Sequence, residues 1–337
     1  MCFVLIAFSG SAQEKTFTNP LMPSGADPYS TYHDGHYYYT NTAGNRLVLW
    51  KTKSLADLKS AEKKTIWVPP PNTLYSKNIW APEVHFIDNK WYVYFAADDG
   101  QNENHRMYVV ENTSEDPLTD NWVFKGKLAT ESDKWAIDGN VFRYKDQLYM
   151  IWSGWEGNEN GQQNIYIAKM RNPHEMEGER TLIAQPVNSW ETYGYLGAGS
   201  NPSHVYVNEG PQFLSRGGEV FIVFSASGCW TDNYSLGLLS FDETKDLLDP
   251  SAWTKHKKPI FQQSGENEVY GPGHNSFFKS PDGTEDWLLY HANSEPGEGC
   301  GRERSPRMQK ISWNKDGTPN LGIPVPEGRE LPVPSEP

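Results

Sequence analysis

Short runs rich in aromatic and β-branched residues, broken by polar turn pairs, recur along most of the chain. Five double runs align with one another, starting at Asp27, Glu83, Asp138, Glu209 and His274. Each folds about a polar pair, respectively Asp34-Gly35, Asp88-Asn89, Lys145-Asp146, Gly217-Gly218 and Asp282-Gly283. Two strand-length runs around such a pair are the signature of a β-hairpin. The starts stand 55 to 71 residues apart, enough for a four-stranded blade with loop insertions. Repetition at this period predicts an all-β, single-domain, five-bladed β-propeller over residues 13–325. The innermost strands would line one central channel and bring the five leading residues together at its mouth.

The segments Asn164–Met170 and Tyr234–Ser240 read as third strands, and helical pattern is confined to pieces such as Ser54–Leu58. Residues 326–337 carry Pro326, Pro332, Pro334 and Pro337 and are expected to form an extended tail. At the other end, the apolar run Met1–Phe8 and the small residues Ser9–Ala12 read as a signal peptide remnant, without the usual basic start. That reading places the protein in the periplasm or outside the cell. No other apolar stretch is long enough to span a bilayer. Cys229 and Cys300 allow one disulfide, but their wide spacing defines no framework, and two separate thiols are the favoured reading.

A formal net charge of -13 argues against a polyanionic partner, since binding nucleic acid needs clustered Lys and Arg. A neutral ligand fits better, and a monomer is the expected state. Several carboxyl groups gathered among aromatic residues would be partly desolvated, which drives their pKa values apart. One can then serve as general acid while another, ionised, serves as base, as glycosidic bond hydrolysis requires. A solitary acidic residue at a turn would be a solvated cap. Its recurrence at one repeat position, flanked by Gly25, Gly139, Gly210 and Gly273, favours chemistry instead.

The stretches Gly25–Tyr29, Trp80–Glu83, Ala136–Gly139, Asn208–Pro211 and Gly271–Asn275 resemble the blade motifs of glycoside hydrolase family 43. Members of that family are five-bladed inverting enzymes acting on arabinose- and xylose-containing polysaccharides. The resemblance implies Asp27 as general base, Glu209 as general acid, and Asp138 as the group that orients the acid and tunes its pKa. It requires no cofactor for the chemistry, and implies a structural calcium or sodium ion in the channel, with His274 near it directly or through water. Trp80, Glu83, Trp230, His274 and Arg304 are the expected substrate-binding residues. The segments Ser227–Asp232, Tyr270–Phe277, Thr284–His291 and Arg304–Gln309 look most like the α-L-arabinofuranosidase members. The expected activity is therefore removal of non-reducing-end α-L-arabinofuranosyl residues from arabinose-containing polysaccharides or oligosaccharides.

Three other readings compete. The same family includes β-xylosidases, endo-arabinanases and galactan-active enzymes, which share the carboxylate motifs. A retaining fructosidase-type propeller would carry Asn-Asp-Pro-Asn where this chain has Ala26-Asp27-Pro28-Tyr29, and would follow its acid with Cys where this chain has Gly210. A propeller that only binds glycans would tolerate loss of any one of the three carboxyls, and all are present.

Overall fold

The computed structural model describes residues 15–337. The proposed signal segment at 1–12 and Cys2 lie outside the described residues. Four groups of four strands and one of three follow in chain order. They are Tyr29–His33, His36–Thr40, Leu47–Thr52 and Glu62–Trp67; Lys77–Ile87, Lys90–Asp98, Arg106–Asn112 and Val123–Leu128; Ala136–Tyr144, Gln147–Gly154, Gln162–Asn172 and Glu175–Ala184; Tyr206–Arg216, Glu219–Ala226, Ser235–Phe241 and Trp253–Lys255; then Tyr270–Lys279, Asp286–Asn293 and Ser305–Lys310. Within each group, consecutive strands pair antiparallel. A short parallel pairing of Gln162-Gln163 with Tyr206-Val207 joins the third group to the fourth. The described residues form no single closed sheet.

Local chemistry explains the hairpins. In four of them the two-residue turn has positive φ at both positions: Asp34 46° and Gly35 73°, Asp88 49° and Asn89 62°, Lys145 46° and Asp146 65°, Gly217 62° and Gly218 98°. That is the turn whose twist matches paired strands, and Asp, Asn and Gly tolerate it best. Inner strands such as Leu47–Thr52 and Lys90–Asp98 are buried on both faces, which is why they read as nearly continuous apolar runs, whereas outer strands such as Glu62–Trp67 and Glu175–Ala184 are largely exposed.

Five apolar clusters fill the spaces between successive groups. Leu47, Leu49, Trp91 and Val93 belong to the first and second, and Tyr94, Met107, Val141 and Met150 to the second and third. Ile151, Ile167, Ile222 and Phe224 belong to the third and fourth, and Val223, Leu238, Leu288 and Tyr290 to the fourth and fifth. Tyr37, Tyr39, Val48, Trp287 and Leu289 pack the fifth against the first. The leading strand of each group touches that of the next, and Tyr270–Lys279 touches Tyr29–His33. Truncating a fully buried residue at one of these seams, such as Trp91, would cost about 3–5 kcal/mol.

The ends of the described chain meet. Thr16–Thr18 pairs antiparallel with Glu330–Pro332, and the Val333 N–H donates to the Lys15 carbonyl. Asn19 adds two bonds to the Met308 backbone.

Candidate active site

The same backbone irregularity occurs near the start of all five leading strands. Ala81-Pro82, Asp138-Gly139, Gly210-Pro211 and His274-Asn275 each insert two residues opposite a single residue of the neighbouring strand. In the first group Asp27-Pro28 do so between the Thr42 N–H to Ala26 carbonyl bond and the Tyr29–Thr40 pair. The first residue of every pair is left-handed: Asp27 59°, Ala81 43°, Asp138 58°, Gly210 53° and His274 45°. Such bulges bend the strand and re-aim a side chain, and they concentrate beside active sites. For residues other than glycine the conformation costs of order 1 kcal/mol, so surrounding contacts must hold it.

This register corrects the alignment expected from sequence. Asp27, Asp138 and His274 are equivalent, Glu209 lies one residue before that position, and Glu83 two residues after it. Glu83 matches Tyr29, Asn140, Gln212 and Ser276, one layer deeper along the strands. Its carboxylate is buried, accepts hydrogen bonds from Asn140 and Gln212, and lies 2.9 Å from His85 Nε2. Glu83 is absent from the cavity wall, and its oxygens are already partnered.

A cavity of about 400 Å³ opens above that layer, and its walls include Asp27, Asp138, Glu209, His274, Arg304, Trp80 and Trp230. Of the sequence-predicted site residues, all but Glu83 therefore meet there. Asp27 sits among cations and donors: Thr42 Oγ1 donates to Oδ2 at 2.5 Å, and Arg304 Nη1 reaches Oδ1 at 3.2 Å. His274 and His291 each place Nδ1 3.4 Å from Oδ1. Burial alone would raise its pKa. Positive charge on His274, Arg304 and His291 in the acid range where Asp27 titrates, helped by Thr42, reverses this and holds the carboxyl well below the usual carboxylate range.

Asp138 and Glu209 move the other way. Burial, then the charges of Glu209 and Asp27, push Asp138 well up, against one hydrogen bond from the Gly210 N–H to Oδ2 at 3.1 Å. Burial raises Glu209 to about 7; Tyr234 and Arg304 oppose the shift and Asp27 reinforces it. Tyr234 Oη donates to Glu209 Oε1 at 2.8 Å. Since that oxygen accepts, the proton of neutral Glu209 belongs on Oε2.

Tyr234 and His291 were not singled out from sequence. Tyr234 lies just before a third strand and His291 inside a second strand, away from the leading positions. The Asp27 N–H donates to His291 Nδ1 at 3.0 Å, which places the proton of that neutral imidazole on Nε2. The Tyr234 ring stacks on it, nearly parallel at 5.8 Å. A Cβ on Gly273 would fall 2.2 Å from Tyr234 Cε1, so only glycine admits the ring.

Aromatic residues line the entrance. Trp80 stacks on fully buried His105 at 4.1 Å, and Trp135 on Trp155 at 4.7 Å. Cys229 and Cys300 are disulfide-bonded, which overturns the expectation of two separate thiols. Sequence distance concealed the pairing because the loops carrying Trp230 and Arg304 converge only in the fold. Among the described residues no group of three or more His, Cys, Asp or Glu side chains is arranged to hold a metal ion. His274 and His291 both face Asp27 without forming such a group with it. No described helix is long and apolar enough to cross a membrane.

The model of the glycosyl hydrolases family 43 matches residues 17–319. An extracellular exo-α-(1→5)-L-arabinofuranosidase of Streptomyces avermitilis is 42% identical over 93% of this chain and 64% of its own length. α-L-Arabinofuranosidase 43 of Humicola insolens is 36% identical over the same shares. The chain thus spans slightly less than two thirds of either relative. Among solved structures, the α-L-arabinofuranosidase from Lactobacillus brevis superposes with a TM-score of 0.84 at 38% identity, covering 93% of this chain and 98% of that one. With its all-β architecture and its match to that model along most of its length, the chain belongs to glycosyl hydrolase family 43.

Proposed function

We propose that this protein is an inverting glycoside hydrolase that removes α-L-arabinofuranosyl residues from arabinose-containing glycans, working on a five-bladed β-propeller at residues 13–325. Support for the propeller comes from the cyclic succession of leading strands and from the five seams that end where they began. The observation that carries the chemistry is the opposite displacement of two carboxyls in one cavity. Asp27 is held ionised while Glu209 keeps its proton to about 7.

Asp27 takes a proton from water as the water oxygen bonds to the anomeric carbon. Glu209 Oε2 gives its proton to the departing glycosidic oxygen as the old carbon–oxygen bond breaks. Asp138, which accepts the Gly210 N–H, orients Glu209 by fixing the backbone beside it. Arg304 and His274 secure the charge on Asp27 and stand where sugar hydroxyls would be met. Trp80 and Trp230 offer flat apolar faces for the ring. Relatives named extracellular support a periplasmic or extracellular location.

The test compares p-nitrophenyl α-L-arabinofuranoside with an arabino-oligosaccharide, and reads the product anomer by NMR. Wild type should release arabinose with inverted configuration. Glu209→Gln should lose far less activity on the nitrophenyl substrate, whose leaving group needs little protonation, and Asp27→Asn should fail on both. Equal losses for Glu209→Gln on the two substrates would remove it as the acid, and no release by wild type would refute the hydrolase.

A further inference from the structure

Residues 192–206 contain no Asp, Glu, Lys or Arg, in a chain of which 22% is charged. They fold back as a small hairpin. Tyr195 bridges His204, the Leu196 N–H donates to the Ser203 carbonyl, and the Val205 N–H donates to the Gly194 carbonyl. The arms approach so closely that a Cβ on Gly194 would sit 1.7 Å from the Val205 oxygen. Leu196 and Val205 form part of the cavity wall. Tyr193 is 51%, Tyr195 54% and Tyr206 39% exposed, unusual for side chains of this size. His204 links two of them, its ring 5.0 Å from Tyr195 and 6.5 Å from Tyr206.

The hairpin is anchored firmly. Trp230 Nε1 donates to the Tyr195 carbonyl at 3.0 Å, and the Tyr206 N–H to that of Gly161. At its base, fully buried Glu191 accepts the N–H groups of Val187 and Asn188 and pairs with Lys255, which also bonds Asn208, the neighbour of Glu209. A surface already ordered loses little entropy when a ligand settles on it.

From these features we infer that the Tyr193, Tyr195, His204 and Tyr206 face is a binding platform for the neutral polysaccharide chain beyond the scissile bond, an inference that rests on the proposed glycosidase activity. Flat rings tipped with hydroxyls suit the apolar faces and hydroxyl edges of sugars, and the absence of charge suits a neutral polymer. Continuity with the cavity through Leu196 and Val205 puts the platform beside the reacting bond. Four side chains fall well short of the roughly 800 Å² per partner that a stable protein interface buries.

The experiment compares wild type with Tyr195→Ala/Tyr206→Ala on linear arabinan and on p-nitrophenyl α-L-arabinofuranoside. The variant should raise KM on arabinan about tenfold, leave the nitrophenyl substrate unaffected, and keep the wild-type circular dichroism spectrum. Tyr195→Phe/Tyr206→Phe should recover most of the loss, because the rings remain. An unchanged KM on arabinan, or parallel losses on both substrates, would overturn the platform. Should wild type cleave neither substrate, the hydrolase reading fails separately, and electrophoretic retardation in an arabinan gel still decides: equal retardation of wild type and variant overturns the platform, retardation lost in the variant supports it. Dimerisation of wild type, but not of the variant, in light scattering would assign the face to a second copy and overturn it too.

Discussion

Replacing Glu209 by Gln isolates what burying this acid costs the fold. A carboxyl whose folded pKa is raised binds its proton more tightly in the native state than in the unfolded chain. Stability must therefore fall as pH climbs from the unfolded value to the folded one. For Glu209 that window runs from the ordinary 4.5 to about 7. The displacement corresponds to about 3 kcal/mol in total, most of which falls between pH 5 and pH 8. Gln has no proton to lose, fills the same volume, and still offers its amide oxygen to Tyr234. Urea unfolding of wild type and Glu209→Gln at pH 5 and pH 8 should show the variant gaining on wild type by about that amount as pH rises. A difference that stays constant across the window would refute the claim that Glu209 is held neutral by its surroundings, and with it the main support for its role as acid.

Two further predictions concern the pH profile of kcat/KM. Tyr234→Phe keeps the ring against His291 and Gly273 but removes a bond that lowers the Glu209 pKa, so the alkaline limb should move upward while activity at acid pH stays within about tenfold. Arg304→Met removes a cation that lowers both Asp27 and Glu209, so both limbs should shift to higher pH, with a loss of about tenfold or more at the acid end; an unmoved acid limb would detach Arg304 from Asp27.

Hairpin periodicity and turn chemistry were legible from sequence because both are local: four of the five polar pairs adopt left-handed two-residue turns, while Asp282-Gly283 lies in a longer connection between Lys279 and Asp286. The meeting of Asp27, Asp138 and Glu209 was legible too, since repetition of one hairpin unit places equivalent chain positions side by side where successive leading strands touch. What failed was phase. Lining the repeats up on ionisable residues put Glu83 and Glu209 level with Asp27, whereas the backbone aligns Ala81 and Gly210 with it, and neither side chain announces a bulge. Tyr234 and His291 act as partners of the leading residues, and nothing in their own neighbourhoods in the sequence sets them apart. The Cys229–Cys300 link was missed for a related reason, because the loops that carry the two cysteines belong to different strand groups and approach only in the fold.

The recurring bulge separates the scaffold from the reaction it hosts. Five nearly equivalent sockets present whatever side chain the sequence supplies, and here they hold two acids, an imidazole, a methyl group and a hydrogen atom. Selectivity in such a molecule can be rewritten by exchanging single occupants while the framework stays intact, though not at Gly210, where a Cβ would already stand 3.3 Å from His274 Nδ1.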